Sequence, residues 1–368
     1  MARSNRRQFL KTAGSLASGA ALGASALMGC SKGGGGGQVT TVGGGAGAVA
    51  SAVSQGTHDL CVARGSESVA ALTRAAVDGL GGIARFVTKG ATVCLKPNAS
   101  WDRAPGSGAN THPDALRELV SMCFEAGAKD VFAIDHPLAA DPLSWNMLKE
   151  ATEEAGGHFI ELAGSANQMW ETVDFVDGVR MLPHMGEEQV AFDVLAADVF
   201  INAPVLKLHS LTGLSIGLKN LMGVIRERGR YHGGSSEGYA SGGGEGSDDI
   251  HQAIADLGLM LKDRIQLTVV DCTYVLTDES GPRGRDDVDG VPMMTCIAGT
   301  DIVACDYRAA QVFGMSDDEI STKVDHIPLA AEIGVGTMDL ASLRVNELDL
   351  GEAPVDEGTA PPEETEAE

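Results

Sequence analysis

Residues 92–98 read Thr-Val-Cys-Leu-Lys-Pro-Asn, and residues 131–137 read Val-Phe-Ala-Ile-Asp-His-Pro. In both, a short run that is apolar on both faces gives way abruptly to polar residues and a proline, as a buried parallel strand does at its end. Between them, Pro113–Ala126 has helical period, opens with a proline in its first turn and stops at Gly127. The stretch therefore reads strand, helix, strand. The alternation continues outward, with strands expected over Leu60–Arg64, Phe159–Leu162, Val199–Ala203 and Leu267–Asp271. Helices are expected over Ser66–Leu80, from Thr212 to about Ile225, and over Ser247–Arg264, where Ile250, Ile254, Leu257 and Leu261 form one stripe. The fold class that follows is α/β: a mostly parallel sheet with helices on both faces, in a single large domain over residues 58–351.

Outside that body the chain changes character. Arg6-Arg7-Gln8-Phe9-Leu10-Lys11 precedes a weakly apolar stretch, Thr12–Leu27, too short to span a bilayer comfortably. Residues 1–29 thus read as a twin-arginine signal peptide, with the twin-arginine translocase as export partner. Leu27-Met28-Gly29-Cys30 resembles a lipobox, although Met28 stands where a small residue is usual, and makes Cys30 the candidate for lipidation. Residues 30–57 follow as a glycine-rich tether. An exported chain, periplasmic or extracytoplasmic and held to the membrane by a lipid anchor, is the expected location. Residues 352–368 form an acidic tail with three prolines and no basic residue, and are expected to be disordered.

The whole chain carries 51 acidic against 27 basic residues, a net charge of −24. Such a surface repels nucleic acid and anionic lipid. Apart from Cys30, the six cysteines are widely spaced in apolar runs without a Cys-x-x-Cys pair, so buried thiols are expected and an iron–sulfur cluster is not.

Ligands of an open parallel sheet collect outside the carboxyl ends of its strands. Here those ends are polar: Lys96 and Asn98, then Asp135 and His136, then Lys207 and His209, then Asp271. Against so acidic a background, converging lysines point to a small anionic ligand bearing phosphate or carboxylate. Lys96, Lys207 and Lys219 supply charge, Asn98, Thr111, Thr212 and Asn220 supply hydrogen bonds, and Lys207, Lys219 and His209 are the candidate catalytic residues. His209 is the expected proton carrier, since an ordinary imidazole titrates near neutrality. On the expected helix, Thr212, Ser215 and Lys219 share one face. A divalent metal is the competing use of the same edge, with Asp135, His136, His209 and Asp271 as mixed ligands, although none has dedicated motif spacing. The glycine-rich run 233–246 reads as a long loop of the kind used as a lid.

Several of these motifs recur together in a known family. Lys96-Pro97-Asn98, Thr111-His112-Pro113, Glu125-Ala126-Gly127-Ala128, Lys207-Leu208-His209 with Thr212, Lys219-Asn220-Leu221-Met222-Gly223, Gly281-Pro282-Arg283-Gly284 and Ala298-Gly299-Thr300-Asp301 appear in that order. The chain in this respect resembles the bacterial and archaeal family named domain of unknown function 362, over roughly Leu60–Gly314. The resemblance implies frequent twin-arginine export and, in many members, fusion to ferredoxin-like modules, whose cysteine-rich sequence this chain lacks. Two readings of function follow: recognition and turnover of a small anion, or a non-catalytic solute-binding or redox and assembly accessory lipoprotein.

Export is expected to need the arginine pair. Changing both Arg6 and Arg7 to Lys should hold the precursor in the cytoplasm, as read by fractionation, and normal export of that double variant would remove the twin-arginine reading.

Overall fold

The computed structural model describes residues 57–139, 141, 146–164, 166–232, 246–285 and 290–351, with residues 246–249 described by their backbone alone. The signal peptide, Cys30 and nearly all of the tether, the glycine-rich run as far as residue 245, and the acidic tail lie outside the described residues.

In chain order the elements are β1 (Leu60–Arg64), α1 (Val69–Asp78), β2 (Thr92–Pro97), α2 (Pro113–Glu125), β3 (Asp130–Asp135), α3 (Leu148–Glu154) and β4 (His158–Glu161). A small hairpin, β5 (Trp170–Val173) and β6 (Glu188–Ala191), precedes β7 (Val199–Ala203), β8 (Val205–His209) and β9 (Gly213–Ser215). The chain then forms α4 (Gly217–Asn220), α5 (Gly246–Leu261), β10 (Ile265–Leu276), β11 (Val291–Gly299), α6 (Ile302–Phe313), α7 (Asp317–Lys323), α8 (His326–Glu332) and β12 (Val345–Asp349).

The main sheet runs β12-β1-β11-β10-β7-β2-β3-β4. From β10 to β4 every pair is parallel, and only β11 runs against its neighbours. Period-two alternation sends side chains into two separate cores. Cys94, Phe132, Ile134, Phe200, Val270 and Ile297 join one core with residues of α5 and α6. Val93, Leu95, Val131, Ala133, Ile201 and Ala298 join the other with α1 and α2. Burial on both faces is why these strands read as continuous apolar runs. The six cysteines of the body are buried free thiols inside these layers. Among the described residues no helix is long and apolar enough to cross a membrane.

Two features of the sheet open a crevice. Pro204, between β7 and β8, ends the pairing with β2, and β8 continues along β10 without a pairing to β2. β10 is longer than the expected Leu267–Asp271, running on past Asp271 to Leu276 and giving β8 a surface to follow. The second correction concerns Thr212–Ile225. Instead of one helix, the chain turns back as β9, antiparallel to β8, and only then forms the short α4 and a 3-10 turn over Leu221–Val224. Thr212, Ser215 and Lys219 therefore do not share a helical face. The apolar residues 214, 218 and 221 that suggested the helix are all completely buried, but on three successive elements.

Asp306 of α6 fixes where α4 begins. It is completely buried, and its carboxylate accepts the backbone N–H groups of Gly217 at 2.7 Å and Leu218 at 2.8 Å. Free N–H groups at a helix start need such an acceptor, and bonds to a carboxylate are the stronger kind. An Asp306→Ala variant is expected to lose about 3 kcal/mol of stability in urea unfolding, because two buried donors are left unpaired. A loss under about 1 kcal/mol would mean that these donors find other partners.

Candidate functional site

The pocket lies at the carboxyl ends of β2 and β3, facing the β8–β9 hairpin and the Lys219–Gly223 segment. It is a cavity of about 70 Å³ whose lining includes Lys96, Asn98, Asp135, Lys207, His209, Lys219 and Asn220. At roughly 10–15 Å³ per water, that is room for five to seven waters or a small anion.

Its floor is a buried ion pair. Lys96 Nζ stands 2.8 Å from Asp135 Oδ1, and both side chains are about 1% exposed. The remaining valences are closed locally. Lys96 also donates to Asn220 Oδ1 and to the carbonyl of Pro97, while Asp135 accepts from the N–H groups of Ala99 and His136. Asn220 Nδ2 in turn donates to Lys96 O and Asn202 Oδ1, both at 2.8 Å. A Cβ on Gly223 would overlap both Asp135 and the end of Lys96, so only glycine permits the segment to lie this close.

Lys207 is also engaged, donating to Asn98 Oδ1 at 3.3 Å and to the carbonyl of Ala109. Lys219 differs: among the described residues its Nζ has no hydrogen-bond or ion-pair partner, although it lines the same pocket. Asn98 Nδ2 likewise finds no acceptor among the described residues.

Four of the expected site residues are placed elsewhere. Thr111 is buried behind the pocket, its hydroxyl donating to Ala203 O and accepting from Asn98 N, so it supports Asn98 without lining the cavity. Thr212 donates to Leu214 O inside the hairpin turn. His136 turns its ring to Ile225 O and packs against Trp170. Asp271 is interior to β10, where its carboxylate accepts from His112 N, Thr273 N and the Thr273 hydroxyl. The proposed metal ligands Asp135, His136, His209 and Asp271 thus do not converge, and among the described residues no group of three or more His, Cys, Asp or Glu is arranged to hold an ion.

The pocket also contains residues that sequence reasoning did not assign to a site, among them Ser100, Trp101, Arg228 and His232. Arg228 is the most consequential. It donates to the carbonyls of His136 and Pro137, which brings a guanidinium to the cavity wall. The available signal was the charge contrast already used for the lysines, since Arg226, Arg228 and Arg230 interrupt an acidic chain within five residues.

The family of the chain follows from its match to a family model. A model described as domain of unknown function, DUF362, matches residues 93–311, more than half of the chain. The protein belongs to the DUF362 family. A thylakoid-associated protein of Synechocystis sp. is 28% identical over 160 residues, 43% of this chain and 46% of that one, so the chain spans less than half the length of this relative. Among solved structures, the lactate racemase apoprotein of Thermoanaerobacterium thermosaccharolyticum superposes with a TM-score of 0.42 at 14% identity, over 68% of this chain and 56% of that one.

Electrostatics divide the residues of this DUF362 pocket by role. Burial, with help from Lys219 for the first and Arg228 for the second, pulls the amines of Lys207 and Lys219 down to about 7. Burial also lowers Lys96, but Asp135 opposes the shift. His209 is held far lower, at about 2, by burial and then by Lys219 and Lys207. Its Nδ1 accepts from the N–H groups of Leu211 at 3.1 Å and Thr212 at 3.3 Å, so the ring is neutral with its proton on Nε2. The expectation of His209 as proton carrier is therefore corrected. Surrounded by cations, it is a neutral hydrogen-bond donor, and the groups that titrate near neutrality are Lys207 and Lys219.

Both lysines bind protons less readily in the folded chain than in the unfolded one. Between about pH 7 and their ordinary 10.5 the unfolded state holds more protons, so their penalty on stability is complete below pH 7 and fades as pH rises. A Lys207→Met/Lys219→Met double variant is thus expected to be most favoured over the parent below pH 7, with the gap shrinking toward pH 10. Chemical denaturation of both proteins across that range is the measurement. A gap independent of pH would show that these amines keep ordinary pKa values.

Proposed function

We propose that the pocket binds a small anion carrying a carboxylate or phosphate group, and that the chain performs this task as an exported, lipid-anchored protein. One observation carries the ligand reading: Lys96, Lys207, Lys219 and Arg228 surround a single small cavity that contains one carboxylate, Asp135. Asp135 balances Lys96, which leaves three cationic side chains without a charge partner at the pocket among the described residues, in a chain of net charge −24. Buried like charges repel and are poorly solvated, and an anion relieves both penalties together. Lys207, Lys219 and Arg228 are the charged contacts, and Asn98 Nδ2 and neutral His209 are the donors that set orientation. Asn220 and Thr111 act behind them as positioning residues.

Because a bound anion favours the ammonium forms, binding near pH 7 is coupled to proton uptake by Lys207 and Lys219. Affinity should therefore fall as pH rises above about 7.

Thermal unfolding with inorganic phosphate and with short mono- and dicarboxylates tests the reading. A ligand present at one hundred times its Kd stabilises the fold by about 2.7 kcal/mol. Lys219→Met should shrink that gain while leaving the ligand-free protein as stable as before or more so, since an unpaired buried amine is removed. No shift with any of these anions, at any pH from 6 to 8, would defeat the proposal.

A further inference from the structure

We propose that Lys219 is a nucleophile that condenses with the carbonyl group of a small 2-oxo acid held in the pocket, forming an imine and releasing water. The inference rests on the anion-binding reading and narrows it to carboxylates that carry an adjacent oxo group.

The contrast among three lysines in one cavity is the starting point. Lys96 is tied to Asp135, Asn220 and Pro97 O, and Lys207 to Asn98 and Ala109 O. Amines held by carboxylate and carbonyl acceptors are directed away from attack on carbon. Lys219 alone of the three has no acceptor among the described residues, and the carboxylate in the pocket wall is already occupied by Lys96 and two backbone N–H groups. Among the described residues nothing holds the Lys219 amine as a salt.

Its surroundings also favour the reactive form. A neutral amine is the nucleophile, and desolvation next to other cations is a recognised way to obtain one near neutrality. Lys219 is buried beside Arg228, and its amine is lowered to about 7. The same cations attract the carboxylate that brings the substrate. Size agrees: a cavity of about 70 Å³ has room for five to seven water-sized groups at ~10–15 Å³ each, and a three-carbon oxo acid has six non-hydrogen atoms.

The step balances without an oxidant or reductant. The neutral nitrogen lone pair forms the C–N bond while the carbonyl π pair moves to oxygen, which takes one proton from the nitrogen and a second from solvent, the one the ammonium had released. The C–O bond then breaks, and the oxygen departs as water. Overall, ammonium plus carbonyl gives protonated imine plus water. His209, neutral with its proton on Nε2, is the non-ionised donor suited to the carbonyl oxygen during addition.

The test uses the full exported protein, pyruvate and sodium cyanoborohydride, which reduces an iminium to a stable secondary amine. Intact mass and peptide mapping should find one carboxyethyl group on Lys219. Lys219→Arg, which keeps the charge and cannot form this imine, should abolish the label, whereas the exposed Lys149→Met should retain it. At saturating pyruvate the labelling rate should fall roughly tenfold per pH unit on the acid side of the Lys219 pKa in the complex, which the bound carboxylate raises above about 7. Propanoate, which lacks the oxo group, separates this proposal from the one beneath it. If pyruvate and propanoate both stabilise the fold but no adduct forms, or the adduct maps to another lysine, the imine is overturned and anion binding stands. If neither carboxylate stabilises the protein and none labels it, the oxo-acid assignment is overturned together with the carboxylate half of the binding reading.

Discussion

The buried pair between Lys96 and Asp135 is the constraint on which the site depends. Removing two charges from water costs several kcal/mol per ion, and attraction offsets that only when every remaining valence is closed. Here the closure uses the backbone of Ala99, His136 and Pro97 and the side chain of Asn220. The pair therefore joins the ends of β2 and β3 to the segment that carries Lys219. Gly223 belongs to the same device, since any side chain there would enter the space of the pair.

Similar burial has different consequences for the three lysines because their partners differ. Lys96 has a carboxylate that opposes the cost of desolvation, while Lys207 has only dipoles and Lys219 has no hydrogen-bonding partner among the described residues. The gradient from paired to unpaired amine runs across one small cavity. A ligand that supplies the missing negative charge meets its strongest demand at Lys219, the amine least compensated by the protein.

Much of this was legible in the sequence, and the misses have physical causes. The ends of β1, β2, β3 and β7 fall within a residue or two of their expected positions because strands buried on both faces are apolar without interruption and stop at polar residues or proline. Lys96 stands at one of those strand ends, and Lys207 and His209 follow the end of β7 on β8, but Lys219 and Asn220 reach the same cavity by way of the hairpin. The segment after Lys207 was misread because a hairpin followed by a one-turn helix buries residues 214, 218 and 221 as a continuous helix would. Asp271 was misplaced because a strand that continues through a buried aspartate looks, in sequence, like a strand that ends there. The role of His209 depended on its cationic neighbours and on two backbone donors at Nδ1, neither of which a residue type reveals.

The groups that shape this pocket mostly do not point their chemistry into it. Asp306 anchors the start of α4 from α6, Asn202 and Asn220 link α4 to β7 and β2, and Thr111 fixes the backbone of Asn98. Each of these polar groups is satisfied by the fold, and satisfied groups are rigid. A rigid support whose own hydrogen bonds are closed leaves reactivity to the few atoms not included in the network. Among the described residues those atoms include the Lys219 amine, the Asn98 amide and the Nε2 proton of His209, so the same bonds that stabilise the fold also decide which groups remain free to meet a ligand.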